Sequence, residues 1–165
     1  MNTAADARLA QSVSDELAAL RGFIKLLQQE QQALTEGDID RLMPLVAEKA
    51  RLASTLGQLA DQRNELLMAA GLPNDRAGME SWLDRQRQTT QVQIAQHTRN
   101  EWESLMGLAV EARALNETNG KLIGTRLQHN QQTLNALLAA GDRAALYGPD
   151  GQTRTSGGGR LFGAA

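Results

Sequence analysis

The chain of 165 residues contains no cysteine, which excludes a disulfide scaffold, a zinc ribbon, an iron–sulfur cluster and a thiol nucleophile. Aromatic residues make up only 3% of the chain and there are three prolines, which argues against a β-sandwich or a barrel. No run rich in valine, isoleucine and tyrosine is bounded by turn residues, so an ordinary mixed α/β enzyme is excluded as well. Leucine, alanine and glutamine dominate instead, as is typical of long helices and coiled coils.

An excess of one charge and a long apolar run are also missing. The 17 basic and 19 acidic residues give a formal charge of −2, so there is no electrostatic reason to expect nucleic acid as a partner. No apolar run approaches the roughly 18 residues of a membrane span, and Met1–Ala10 lacks the features of a signal peptide. The sequence therefore predicts a soluble, cytoplasmic protein that binds other proteins, with no nucleic acid and no membrane insertion.

Heptads of apolar residues predict a first long helix from about Ala5 to Glu36. Its a and d positions are Val13, Leu17, Leu20, Ile24, Leu27, Gln31 and Leu34. Gly37 suits the left-handed position after a helix, and Asp38 can cap the N-terminus of the next one. We therefore expect the chain to reverse at this point.

A second helix continues the same spacing and ends at Gly71 and Pro73. Its seam positions are Leu42, Leu45, Lys49, Leu52, Leu56, Leu59, Arg63, Leu66 and Ala70. Two such helices joined by a short link should pack as an antiparallel hairpin, because each leucine stripe would otherwise stay exposed to water.

Two further helices and a tail complete the prediction of an all-α, elongated antiparallel helical bundle. A short elbow helix within 74–88 places Met79, Trp82 and Leu83 on one face, and a last long helix begins near Thr90. Seven of the fifteen glycines lie from Gly141 onward, where too little apolar surface is available to offset the entropy of ordering the chain. We therefore expect a helical domain over 1–140 and a flexible tail over 141–165.

No group of residues has the spacing of a catalytic or cofactor site. A di-iron helical bundle needs Glu-x-x-His pairs, but Ile94 precedes His97 by three residues and Arg126 precedes His129. The glycines between 157 and 163 follow no predicted strand and lack the Lys-Ser/Thr of a phosphate-binding loop. The sequence therefore predicts no enzyme activity, no metal and no cofactor.

Several polar residues fall on the predicted seams. For Lys49 and Arg63 we expect snorkelling at the edge of the core, with the charges in water. Asn116 and Asn119 lie beside Gly120 and indicate either a close helix crossing or a stretch that opens easily, and the spacing does not decide between them. Beyond them, an amphipathic face from Ile123 to Leu138 exceeds what the first two helices can cover, which suggests a docking surface.

Three stretches resemble the FlgN family of flagellar export chaperones. They are Glu30–Asp38 (EQQALTEGD), Leu115–Ile123 (LNETNGKLI) and Leu146–Gln152 (LYGPDGQ). The first is weakly specific, whereas the other two, in this order and at this distance, are more telling. The resemblance spans nearly the whole chain.

The resemblance implies a chaperone without catalysis, which holds the hook-associated proteins FlgK and FlgL and delivers them to the flagellar export apparatus. In the family the end of the last helix binds cargo, and a tyrosine in the tail is associated with docking at the export gate. The cargo-binding residues implied here are Asn119, Leu122, Ile123, Leu127, Asn130, Leu134, Leu137 and Leu138. The implied gate-docking residues are Leu146, Tyr147, Gly148, Asp150 and Gly151.

The alternative is a coiled-coil adaptor or structural scaffold that uses the same leucine seams to form a homo-oligomer. The tail favours the chaperone, because a scaffold needs no tethered segment with one embedded tyrosine, whereas delivery to a gate benefits from it.

Overall fold

The computed structural model of the chain describes residues 3–88 and 92–146, almost all of them in four helices. They are α1 (Thr3–Glu36), α2 (Ile39–Ala69), α3 (Arg76–Arg87) and α4 (Val92–Leu146). Over these ranges there is no strand, which confirms the all-α prediction. The chain divides into two compact units, Met1–Leu122 and Ile123–Ala165, called the N-terminal and C-terminal units below.

The turn between α1 and α2 forms as the sequence predicts. Gly37 has a φ of 76°, a left-handed conformation that glycine adopts without strain. The backbone N–H groups of Gly37 and Asp38 both donate to the carbonyl of Ala33, at 2.9 and 3.0 Å. The Asp38 carboxylate then accepts a hydrogen bond from the backbone N–H of Arg41 at 3.1 Å, which caps α2.

Helices α1 and α2 form the predicted antiparallel hairpin. Glu16 pairs with Arg63 and Glu30 pairs with Lys49, so the contacts run in opposite directions along the two helices. Most of the predicted apolar seam of α1 is buried. Its buried members are Val13, Leu17, Leu20, Ile24, Leu27 and Leu34, joined by Leu9. Pro44 lies inside α2 without ending it.

Helix α3 is the predicted elbow, capped by Asp75, whose carboxylate accepts from the backbone N–H of Gly78 at 2.9 Å. Glycine is required at position 78, because a Cβ there would collide with the backbone carbonyl of Pro73. As predicted, the apolar face of α3 is buried, and the indole N–H of Trp82 donates to Asp6 at 3.0 Å. This bond ties α3 to the first turns of α1.

Within the N-terminal unit, α4 runs parallel to α1. The hydroxyl of Ser14 donates to Glu101 near one end, and Asn119 donates to the carbonyl of Leu27 near the other. Trp102, Leu105 and Ala112 of α4 join the core of this unit. The unit is therefore built on three long helices, with α4 covering the α1 side of the hairpin.

Helix α4 continues to Leu146, past Gly141, where the sequence analysis placed the start of the tail. One glycine costs a helix about 1 kcal/mol, too little to end it when alanine and leucine follow. The division into a 1–140 domain and a 141–165 tail stays a prediction.

Candidate functional site

Three polar side chains from α1, α2 and α4 meet in the core of the N-terminal unit. The Glu30 carboxylate is almost fully buried and accepts from the Lys49 ammonium at 2.9 and 3.1 Å. The Asn119 amide, with 0% of its surface exposed, donates to Glu30 at 2.7 Å and to the Leu27 carbonyl at 2.9 Å. This Glu30 cluster (Glu30, Lys49, Asn119) joins the three long helices, because each partner satisfies a buried polar group of another.

A second such group, the Glu16 cluster (Glu16, Arg63, Trp102), lies nearer the other end of the hairpin. The Arg63 guanidinium donates to Glu16 at 2.7 Å and lies 5.0 Å from the centroid of the Trp102 ring. A cation over an indole face adds an attraction that grows as water is excluded. The cluster therefore connects the same three helices by one cation.

These contacts correct the expectation that Lys49 and Arg63 keep their charges in water. Both ion pairs are largely shielded, and the carboxylate partners belong to α1 rather than to the solvent-facing side of α2. Pairing replaces snorkelling because a buried carboxylate of α1 lies beside each cation, Glu30 at 2.9 Å from Lys49 and Glu16 at 2.7 Å from Arg63. Both residues instead link α2 to carboxylates on α1.

Burial raises the pKa of Glu16 above its ordinary 4.5, because desolvation outweighs the attraction of Arg63. The folded chain then binds the proton more tightly than the unfolded chain does. Its contribution to the free energy of unfolding therefore falls as pH rises from 4.5 through the folded-state pKa. We expect Glu16→Gln to remove this decline, measured as urea midpoints across that pH window.

The matched control for this prediction is Glu48→Gln. Glu48 also pairs with an arginine, Arg51, but the pair is exposed and solvent screens it. The control should leave the slope of stability against pH nearly unchanged. An unaltered slope in Glu16→Gln would contradict the assignment.

A surface network at the α3 end of the N-terminal unit fixes α4 further. Arg99 donates to Glu80 at 3.2 Å and to Asp84 at 2.7 Å, and the indole N–H of Trp102 also donates to Glu80. His97 is exposed and lies 3.4 Å from Glu101. All of these groups are arranged as structural pairs, and in the part of the chain that is described no cluster of three potential metal ligands occurs.

The C-terminal unit presents five large apolar side chains to solvent. This apolar face consists of Ile123, Leu127, Leu134, Leu137 and Leu138. Leu134 is 50% exposed and Leu137 is 65% exposed. The intervals of four, seven, three and one residues keep all five side chains on one side of the helix, because seven residues make about two turns. Exposed apolar patches of this kind are typical of interaction surfaces.

The other predicted cargo-binding residues lie in different surroundings. Asn130 is exposed in the C-terminal unit, whereas Leu122 is half-buried in the N-terminal unit. The placement of Asn119 on a cargo surface is corrected by its burial, because no atom of its side chain is accessible. It serves packing in the Glu30 cluster, one of the two interpretations that the sequence left open.

Of the predicted gate-docking residues, Leu146 is the last residue of α4. Tyr147, Gly148, Asp150 and Gly151 lie outside the described residues.

Sequence reasoning missed a second apolar stripe on α2. This α2 outer stripe consists of Ile39, Met43, Val46, Ala50 and Ala53, all exposed. Their spacing of four, three, four and three residues is itself a helical signal, in addition to the leucine seam predicted for α2. The sequence analysis did not use it, because one apolar stripe per helix is enough to explain a hairpin.

The sequence matches known proteins along most of its length. The family model for FlgN protein matches residues 1–155. The chain is similar to the "Flagella synthesis protein FlgN" of Proteus mirabilis, at 27% identity over 90% of this chain and 91% of the relative. The proteins of that name from Salmonella typhimurium strain LT2 and Escherichia coli K12 are each 28% identical, over 90% of this chain and 92% of theirs. No solved structure is significantly similar.

Within the described ranges, none of the helices has the length and apolar character that crossing a membrane demands.

Proposed function

Because the chain belongs to the FlgN family and so takes part in flagellar synthesis, we propose that it is a cytoplasmic type III secretion chaperone. It binds hook-associated proteins of the FlgK and FlgL type, keeps them unassembled and delivers them to the flagellar export gate. The family consists of flagellar chaperone-type proteins and not of enzymes. The function to be explained is therefore the binding of other proteins and not catalysis.

The observation that supports cargo binding best is the apolar face of the C-terminal unit. A helix with a row of exposed leucines can bury the apolar stripe of another protein's helix, which hides that stripe from self-assembly until release. The proposed contacts are Ile123, Leu127, Leu134, Leu137 and Leu138, with Leu122 and Asn130 at the margins. Asn119 is left out because it is buried.

The direct test is a calorimetric titration of the intact chain with C-terminal segments of FlgK and FlgL, followed by measurement of the mass of each complex in solution. A chaperone should bind one or both segments in a defined ratio. The scaffold alternative predicts a stable homo-oligomer that binds neither segment, and that result would overturn the proposal.

Delivery is assigned to the gate-docking residues Leu146, Tyr147, Gly148, Asp150 and Gly151. An aromatic ring in a glycine-rich segment can bury a large apolar area against a partner while its hydroxyl stays at the rim. We expect Tyr147→Ala to weaken binding to the gate's cytoplasmic domain by about 2 kcal/mol, as an aromatic hot spot does.

This Tyr147 prediction is checked by titrating the gate domain with the cargo-loaded chaperone. Cargo affinity and melting temperature should stay at their wild-type values, because holding and delivery use separate residues. Unchanged gate affinity together with a lowered melting temperature would instead assign Tyr147 to a cap on the end of α4.

A further inference from the structure

In the N-terminal unit, α2 and α4 leave an open groove of ≈ 640 Å³ whose floor is Phe23 of α1. One wall consists of Val46, Lys49, Ala50 and Ala53, and the other of Ala112, Arg113 and Asn116. Except for Lys49, Arg113 and Asn116, the lining is apolar. Neither the proposed cargo surface nor the gate-docking segment includes any of these residues.

The α2 outer stripe extends this groove toward the start of α2. Ile39, Met43 and Val46 are 63%, 71% and 55% exposed, values unusual for three large apolar residues on one helix face. From Ile39 to Ala53 the stripe is about 21 Å long, at 1.5 Å per residue. A helix of about four turns would cover it.

The walls suit a helix rather than an extended peptide. Ala50 and Ala53 face Ala112 across the groove, and small side chains on both walls let a helix backbone approach closely. Three long helices with an open groove between two of them lack one element of a four-helix bundle. An added helix would bury the outer stripe, whereas a strand would find no sheet edge to pair with among the described residues.

The charged side chains that line the groove indicate what kind of helix binds there. No carboxylate lines the groove, and the Lys49 ammonium is already neutralised by Glu30 beneath it. Arg113 remains as an uncompensated cation, since its guanidinium makes no hydrogen bond or ion pair within residues 3–88 and 92–146. The chain's own exposed amphipathic helix is a poor match, because residues 118–141 contain no aspartate or glutamate.

From this geometry we propose that the α2/α4 groove is a second docking site, which binds an acidic amphipathic helix of a partner protein. The partner's apolar residues cover the α2 outer stripe, and a carboxylate beside them pairs with Arg113. The site is independent of the cargo surface proposed above, since it lies entirely within the N-terminal unit.

The test uses a fluorescein-labelled, end-blocked synthetic peptide of 21 residues with leucine at heptad a and d positions and alanine and glutamate elsewhere. Binding to the intact chain is followed by fluorescence anisotropy. Ala50→Glu with Ala53→Glu should weaken binding about 100-fold, because two carboxylates would be buried unpaired against the peptide. Arg113→Glu should weaken it about tenfold, and a peptide with lysine in place of glutamate should bind Arg113→Glu better than wild type.

Two control variants distinguish binding in the α2/α4 groove from binding at the proposed cargo surface. Ala47→Glu introduces the same charge on α2 at an exposed position that does not line the groove, and should bind the peptide normally. Leu134→Asp with Leu137→Asp changes only the C-terminal unit, so the part of the binding that Ala50→Glu with Ala53→Glu removes should remain in this variant. No binding by wild type, loss confined to the Leu134 and Leu137 variant, or a groove-dependent dimer of the chain would each overturn the proposal.

Discussion

Replacing Leu134 and Leu137 together by aspartate is expected to abolish binding of the FlgK and FlgL segments. Both side chains are at least half exposed, and as leucines about one helical turn apart on the apolar face they would be the anchors of a docked helix. Losing two anchors of about 2 kcal/mol each corresponds to roughly a thousandfold weaker binding. Calorimetric titration of the double variant measures this loss directly.

The same double variant should fold as wild type does. Neither leucine contributes to the core of the N-terminal unit, so the thermal midpoint followed by circular dichroism should change little. The matched control is Gln132→Asp with Ala136→Asp, which adds two carboxylates on the opposite side of the same helix, where both positions are exposed. Retained cargo binding in the Leu134 and Leu137 variant, or its cooperative unfolding at lower temperature, would contradict the assignment.

Asn119→Asp is expected to destabilise the N-terminal unit by about 3–5 kcal/mol. The substitution replaces an amide donor by a carboxylate that faces Glu30 at 2.7 Å and the Leu27 carbonyl at 2.9 Å, with no access to water. Lys49 can neutralise only one of the two carboxylates. Urea denaturation at neutral pH gives the change in the free energy of unfolding.

Asn119→Ala separates repulsion from the loss of hydrogen bonds. It should cost about 1–3 kcal/mol, because it removes the donor without adding a charge. Its cargo affinity should equal that of wild type, since the side chain is buried away from any docking surface. A stability of Asn119→Asp within 1 kcal/mol of wild type would show that the Glu30 cluster is not formed in solution.

The helices and the turn between α1 and α2 could be predicted from the sequence because local chemistry decides them. A glycine able to take a φ of 76° and an aspartate able to cap the next helix identify the turn at Gly37 and Asp38. Helical spacing located α3 from Met79, Trp82 and Leu83, which lie on its buried face. The exposed apolar face of the C-terminal unit also follows from helical spacing alone.

The partners of the buried charges could not be predicted in this way. Glu30 lies 19 residues from Lys49 and 89 from Asn119, so their contact depends on how three helices are placed around each other. Heptad spacing says which face of a helix is apolar, but not which flank a third helix covers. Heptad spacing therefore assigns no partner to Glu16 or Glu30, and it placed Lys49 and Arg63 at the edge of the core with their charges in water.

Hydrogen–deuterium exchange of the intact chain, alone and saturated with a FlgK C-terminal segment, tests the central claim most directly. The C-terminal unit carries exposed side chains on every described face and should exchange readily when free. If this unit holds the cargo helix, amides of residues 123–140 gain protection on binding, while those of the α1 core around Leu27 keep the protection they already have. Protection that appears only in the N-terminal unit, or none at 123–140 in a saturated complex, would contradict the account.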